Sequence, residues 1–310
     1  MGCSAASALF AARPLWAQDA ANPANGDNDK NKVATANDTE RHLTVPVMVN
    51  GKGPFDFVVD TGADRTVISD DVATALGMPL GKRVNVEGVV RTIPAQTVKL
   101  DSISVGPIER NDLVVPVLPR VLLWASGYLG LDVIDGYRVM LDFKNHELTV
   151  SRPVSRFWDV YTRPNEARVS AVGRYGHLRA VNSRVDGAVT TTFLDTGAEV
   201  SAGNSKLLEA MLARDPDCLS KLTVPLSGVT GGLTQGRVAS VKGIRFGPLS
   251  FTSCDIVIAD LQIFDLWGLS DTPALLIGMN FLRQFNQVSI DYARKELSFE
   301  LASLLVARNG

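Results

Sequence analysis

The chain has 310 residues, 45% of them hydrophobic and 21% charged, with a formal net charge of −2. That length accommodates two globular units of ordinary size, each with its own core. The near-neutral balance gives no electrostatic basis for a nucleic-acid partner or an anionic membrane, and no apolar run reaches the ~18 residues of a membrane span, so stable membrane insertion is not expected.

Residues 1–40 read as a segment outside the fold. Met1 to Ala17 is Ala-rich and apolar but interrupted by Arg13 and Pro14, and Gln18 to Glu40 is dense in Asp, Asn, Ala and Lys. Two readings stand: a short export signal cleaved between Trp16 and Ala20, placing the mature protein in the periplasm or outside the cell, or a disordered start. The missing basic n-region counts against the first. Residues 18–40 fit either a linker or a pro-segment. Lipid anchors are not supported, because too few residues precede Cys3 and Ala6 stands where myristoylation needs Ser or Thr.

From His42 the sequence HLTVPVMVNGKGPFDFVVD alternates, turns at Asn50-Gly51 and alternates again, which predicts a β-hairpin. Val58-Val59 then runs into Asp60-Thr61-Gly62-Ala63. This reads as a buried strand and a tight turn, with a carboxylate held by a neighbouring hydroxyl and backbone N–H groups. Ser69 is placed to cap a helix over 70–76, ended by Gly77. Next come Val84 to Val86, the pair Glu87-Gly88, and apolar residues from Val89 onward, a hairpin with glycine at its tip. Tyr128-Leu129-Gly130 precedes a short helical piece and the strand pair MLDFKNHELTV.

The pattern then returns. Phe193-Leu194 runs into Asp195-Thr196-Gly197-Ala198, 135 residues after the first copy, and Asn204, 135 residues after Ser69, precedes a helical stretch from Ser205 to Ala213. Val224 to Leu226 leads into Gly228, Val229, Thr230, Gly231 and Gly232. Leu276-Ile277-Gly278 is followed by a helical Met279 to Phe285 and by VSIDYARKELSFEL, where Asp291, Tyr292, Glu296 and Leu297 match Asp142, Phe143, Glu147 and Leu148 at a shift of 149. A duplicated all-β unit with short helices accounts for this. One copy spans 41–152 and the other 167–302, with a linker at 153–166 around Pro153 and Pro164 and a tail at 303–310.

One such turn is ordinary loop sequence. Two copies of one fold facing each other across a pseudo-twofold axis would bring their equivalent loops, and with them Asp60 and Asp195, together. The Gly-tipped hairpins at Glu87, Gly88 and Val89 and at Gly228 to Gly232 are then either surface hairpins or lids, and their matching positions favour lids. Trp124 and Trp267, each shortly before an apolar-apolar-Gly element, read as core residues first and as walls of a subsite second. Cys218 and Cys254 fit two buried unpaired thiols or, in an oxidising compartment, a disulfide.

Other chemistry is poorly represented. The three histidines, His42, His146 and His177, show no His-Glu-x-x-His spacing, no Gly-x-Ser-x-Gly elbow is present, and no Gly-Lys-Ser/Thr follows the glycines at 228–232. No metal and no cofactor is called for.

The ordered set, an apolar pair with Asp-Thr-Gly-Ala, a Gly-containing hairpin and an apolar-apolar-Gly element, resembles the retropepsins, the retroviral-type aspartic proteases. DTGADRTVIS is similar to the retroviral form, and the resemblance covers residues 42–302. It implies two tandem acid-protease β-barrel domains related by a pseudo-twofold axis. Retropepsins usually join two identical chains, whereas this chain carries both halves, as in single-chain retropepsin-like proteases of bacteria, some of them periplasmic. A monomer with an internal pseudo-dimer is expected.

By that resemblance Asp60 and Asp195 are a catalytic dyad sharing one proton, which activates water against a peptide bond without a covalent intermediate. Thr61 and Thr196 would cross the axis to bond the opposite loop, and Gly62 and Gly197 would let backbone N–H groups approach the carboxylates. Ala63 and Ala198 stand where pepsins generally carry a hydroxyl donor to the carboxylate. Losing that donor implies higher dyad pKa values and a rate maximum at about pH 5 to 6. The substrate would be an extended polypeptide lying between the two hairpins as an added strand. The competing reading is a peptide-binding module that uses the same fold without catalysis.

Overall fold

A computed structural model describes residues 32–34, 36–38, 42–152, 166–174, 177–180 and 182–301. Its strands trace one pattern twice. In the first half His42–Val49 and Lys52–Val59 form the expected hairpin, with Val49 registered on Lys52, so that Asn50 and Gly51 are the whole loop. Both loop residues take left-handed backbone, φ 51° and 71°, the turn whose twist matches the strands it joins. Val45, Val47 and Val49 are buried while Pro46 between them is exposed, the two-residue alternation of a strand with one face on a core.

The ring continues from Lys52–Val59 through Gly127–Leu129, Val67–Ser69, Ile108–Leu118 and Thr92–Val105, which pairs back onto His42–Val49. Six strands thus close into a barrel around Val47, Phe57, Ile68, Leu100, Ile103 and Leu129. The second half repeats the ring with Thr191–Leu194, Ala274–Ile277, Ala202–Gly203, Leu249–Ile258 and Thr234–Phe246. Its opening hairpin is broken into shorter pieces, of which Arg184–Val185 and Ala188–Val189 flank Asp186-Gly187 at φ 47° and 80°.

Between the barrels runs an antiparallel sheet in the order Lys32–Ala34, Glu147–Ser151, Arg138–Asp142, Phe285–Asp291, Glu296–Leu301, Glu166–Arg174. At its centre Arg138 is registered on Asp291, Met140 on Ser289 and Asp142 on Gln287. Because the closing hairpins match at a shift of 149, Met140 faces its own counterpart, and the pseudo-twofold axis passes between the two. Val139, Leu141, Val288 and Ile290 are buried on these central strands and join the cores of both halves into one cluster. Each such aliphatic side chain contributes about 1.5–3 kcal/mol when fully buried.

Several expectations are corrected. Part of the segment assigned outside the fold belongs to it: Lys32–Ala34 pairs with Glu147–Ser151, and Ala36–Asp38 with His42–Val49. In the second half Glu166–Arg174 makes both equivalent pairings, so Glu166 opens a strand instead of ending a linker. An edge strand is recruited through its backbone N–H and C=O groups, which a polar composition does not reveal. The remainder of the linker (153–165), the signal-like residues up to 31 and the tail at 303–310 lie outside the described residues.

The helices Asp70–Ala75 and Ser205–Leu212 stand where expected, while Met279–Leu282 stops before Phe285, which opens the next strand. Asn204 caps its helix by accepting from the Leu207 N–H at 3.0 Å. Ser69 occupies the cap position but donates its hydroxyl to the Ser126 carbonyl at 2.9 Å instead. Cys218 and Cys254 are both free thiols.

Candidate active site

Each Asp-Thr-Gly-Ala turn begins where a barrel strand ends, and a parallel neighbour sets its height. The Asp60 N–H donates to the Leu129 carbonyl at 3.0 Å and the Asp195 N–H to the Ile277 carbonyl at 2.9 Å. Behind each turn lies the same lock: Asp132 Oδ1 accepts from the N–H and hydroxyl of Thr66 at 2.9 and 2.7 Å, and Asn280 Oδ1 from those of Ser201, both at 2.9 Å. Gly130 and Gly278 permit the approach, since a Cβ on either would lie under 3 Å from the backbone of the turn beside it.

The two turns meet at the axis through their threonines. The Thr61 hydroxyl donates to the Leu194 carbonyl at 3.0 Å and accepts from the Thr196 N–H at 3.1 Å. Reciprocally, the Thr196 hydroxyl donates to the Val59 carbonyl at 2.5 Å and accepts from the Thr61 N–H at 3.1 Å. Four buried backbone groups are thereby satisfied across the interface by two side chains, which leaves the loops little freedom to slide.

The carboxyls follow from this arrangement. Gly62 N–H donates to Asp60 Oδ1 and Gly197 N–H to Asp195 Oδ1, both at 2.8 Å, and the backbone N–H groups of Ala63 and Ala198 add to them. Each glycine also faces the carboxyl of the opposite half: a Cβ on Gly62 would lie 2.5 Å from Asp195 Cγ, and one on Gly197 2.5 Å from Asp60 Cγ. Asp60 and Asp195 are hydrogen-bonded to each other. Burial, and then the negative charge of Asp195, hold Asp60 well above the usual carboxylate range. Burial raises Asp195 as well, opposed by the Gly197 N–H, the bond from Asp60 and the charge of His177. Two carboxyls so placed share one proton, which belongs to the pair and not to either residue alone.

The hairpin tips meet one another. Glu87 pairs with Thr92 and Leu226 with Thr234, which leaves residues 88–91 and 227–233 as the two loops. Arg91 Nε donates to the Thr230 carbonyl at 3.0 Å, and the Thr230 hydroxyl donates to the Arg91 carbonyl at 2.7 Å. Gly88 lies against Thr230 and Gly228 against Val89, so close that a Cβ on either glycine would overlap its neighbour. Val229 crosses to pack with Val86 and Ile93 on a cluster of the first half that includes Val58 and Tyr128.

The two tryptophans part company. Trp267 is buried against Phe193 and His177, ring centroids 4.6 and 5.0 Å away, a core position as expected. Trp124 is 71% exposed, which corrects its placement in the core. It ends the four-residue helix Arg120–Leu123 in a left-handed conformation, φ 58°, and buries Leu123 before it instead.

The residue that sequence reasoning missed is His177. It is 4% exposed, with Nε2 3.0 Å from Asp64 Oδ1 and Nδ1 3.4 Å from the Thr61 carbonyl oxygen. A signal existed: His177 follows His42 by 135 residues, the same interval that separates Asp60 from Asp195. Among the described residues no group of acidic, His or Cys side chains is arranged to hold a metal ion.

A family model described as an aspartyl protease matches residues 45–133 and 181–281. No curated protein matches the chain.

Proposed function

The chain belongs to the aspartyl protease family, in a form that carries the retropepsin-like unit twice, and from that premise we propose that it is an endopeptidase acting on extended polypeptide. Asp60 and Asp195 are the dyad of this proposal. The ionised member of the pair takes a proton from water as the water oxygen bonds to the scissile carbonyl carbon, and the protonated member gives its proton to the carbonyl oxygen, the two roles being exchangeable between Asp60 and Asp195. Collapse of the tetrahedral diol returns a proton to the leaving nitrogen as the C–N bond breaks, and no covalent intermediate with the protein forms. Thr61 and Thr196 keep the two carboxyls in register, Gly62 and Gly197 supply donors and space, and the loops at 87–91 and 228–232 cover the bound strand.

The observation that carries this reading is the reciprocal packing of each carboxyl on the glycine of the other half. A site without proton chemistry gains nothing from forcing two acids together, since their mutual repulsion and burial oppose folding.

The test is cleavage of an unfolded protein with and without pepstatin, repeated with Asp60→Asn and Asp195→Asn. Turnover is expected to fall to background with either change, because the pair acts as a unit. Cleavage by the variants at the wild-type rate would remove the dyad assignment. A wild type that binds peptides without cutting them would be a binding module.

A further inference from the structure

We propose that His177 is a positioning residue for the dyad, acting in its positively charged form through the Thr61–Gly62 peptide, and that loss of its proton limits activity on the alkaline side. The inference rests on the protease reading above. It starts from what the ring faces. Nε2 meets a carboxylate oxygen of Asp64 at 3.0 Å and Nδ1 a carbonyl oxygen, that of Thr61, at 3.4 Å. Neither partner can donate, so both contacts are favourable when both nitrogens carry hydrogen, which is the imidazolium. A neutral ring must turn a lone pair toward one of these oxygens, and the longer contact to Thr61 is the one it would give up.

The ring has no easy alternative. It is buried, and it is held beside the Trp267 ring, centroids 5.0 Å apart at a tilt of 45°. The charged groups around it come from three elements. Asp64 belongs to the first turn. Asp195 belongs to the second, level with His177 when the register of Arg179 on Phe193 is continued, and its carboxyl feels the ring's charge. Arg179 lies two residues along the same strand and so on the same face.

The link to the chemistry is a single peptide plane. The Thr61 carbonyl and the Gly62 N–H are two ends of one amide, and that N–H donates to Asp60 Oδ1 at 2.8 Å. A cation donating to the carbonyl end polarises the amide, strengthens the N–H as a donor and fixes the tilt of the plane. A side chain of the second half therefore orients a carboxyl of the first, and a single proton on its ring sets how firmly.

The experiment compares pH profiles of kcat and kcat/KM for the wild type, His177→Gln and His177→Arg. His177→Gln, uncharged at every pH, is expected to lose about tenfold in kcat at the wild-type optimum, as for one charge-assisted hydrogen bond. Its deficit should shrink toward alkaline pH. His177→Arg should recover most of that loss and hold its activity to higher pH than the wild type. In the wild type, nitrogen–proton correlation spectra of the imidazole and of the Gly62 amide should titrate with one midpoint, the ring being charged on the acid side. A ring that is neutral where activity is greatest, or a Gly62 amide that ignores its titration, would overturn the proposal. So would variants that share the wild-type alkaline limb. If the wild type cleaves nothing at any pH, the protease reading fails, while the spectra still decide whether His177 controls the Asp60 loop.

Discussion

Replacing Thr61 by valine exchanges a hydroxyl for a methyl at nearly constant volume, so its effect isolates the bonds made across the axis. Two buried groups of the second half lose their partner, the Leu194 carbonyl at 3.0 Å and the Thr196 N–H at 3.1 Å. A buried polar group left unsatisfied costs about 1–3 kcal/mol, which gives about 4 kcal/mol for the pair. At about 2–4 °C per kcal/mol for a protein of a few hundred residues, the thermal midpoint should fall by about 10 °C. Because the Thr196 hydroxyl still bonds the Val59 carbonyl and the Thr61 N–H, the loops stay half tethered and the protein should fold. Asp60 and Asp195 nevertheless lose their common frame, so kcat should drop well below the midpoint temperature. Scanning calorimetry and peptide cleavage at 25 °C read the two effects separately, and Thr61→Ser should restore much of both. The Thr61→Val, Thr196→Val double variant should cost less than the two single changes together, since they share one network. A Thr61→Val protein with an unmoved midpoint and full kcat would refute the argument that these bonds hold the site.

Asp60 and Asp195 both have folded pKa values above their unfolded ones, so the protein takes up protons there on folding. The stability this confers is lost as pH rises through the raised values. Asp60→Asn should accordingly be more stable than the wild type at neutral pH, with the difference vanishing under acid conditions, and urea titrations at two pH values would expose a constant difference if the reasoning fails. With alanine at positions 63 and 198 in place of a hydroxyl donor to the carboxylates, the rate maximum is expected at about pH 5 to 6, a direction that agrees with the elevation of both acids, and a maximum below about pH 3.5 on a peptide substrate would contradict it. Gly62→Ala places a methyl carbon 2.5 Å from Asp195 Cγ, so turnover should fall at least a hundredfold, and a variant within twofold of wild type would show the packing to be looser than described. Cys254 is pushed up to about 11, mainly by burial and then by Asp186. At pH 8 about one molecule in a thousand carries its thiolate, and rapid alkylation of this residue by iodoacetamide in the folded protein would be inconsistent with its environment.

Much of the architecture is written in short strings. Asn50-Gly51 specified a two-residue hairpin because a type I′ turn needs positive φ at both positions, and Asp186-Gly187 carries the same instruction 136 residues later, although its flanking strands are too short to have declared themselves. The repeat of Asp-Thr-Gly-Ala implied a pseudo-twofold axis because equivalent loops of facing copies must meet there. Trp124 misled because apolar content suggests burial, whereas a left-handed backbone at the end of a four-residue helix turned it outward. Lys32–Ala34 and Ala36–Asp38 were hidden because edge pairing uses the main chain, which carries no residue-specific signature.

Sequence by itself determined the repeated unit, its turns and the two acids placed at equivalent points, since these depend on local backbone preference and on periodic burial. Tertiary structure alone decided that Met140 faces Ser289 at the axis, that the hairpin tips bond to each other through Arg91 and Thr230, and that His177 reaches into the opposite half. Those outcomes depend on which groups lie opposite one another after the halves dock. A buried ring or an unpaired strand edge takes its role from that neighbour, and a linear string does not say who the neighbour is.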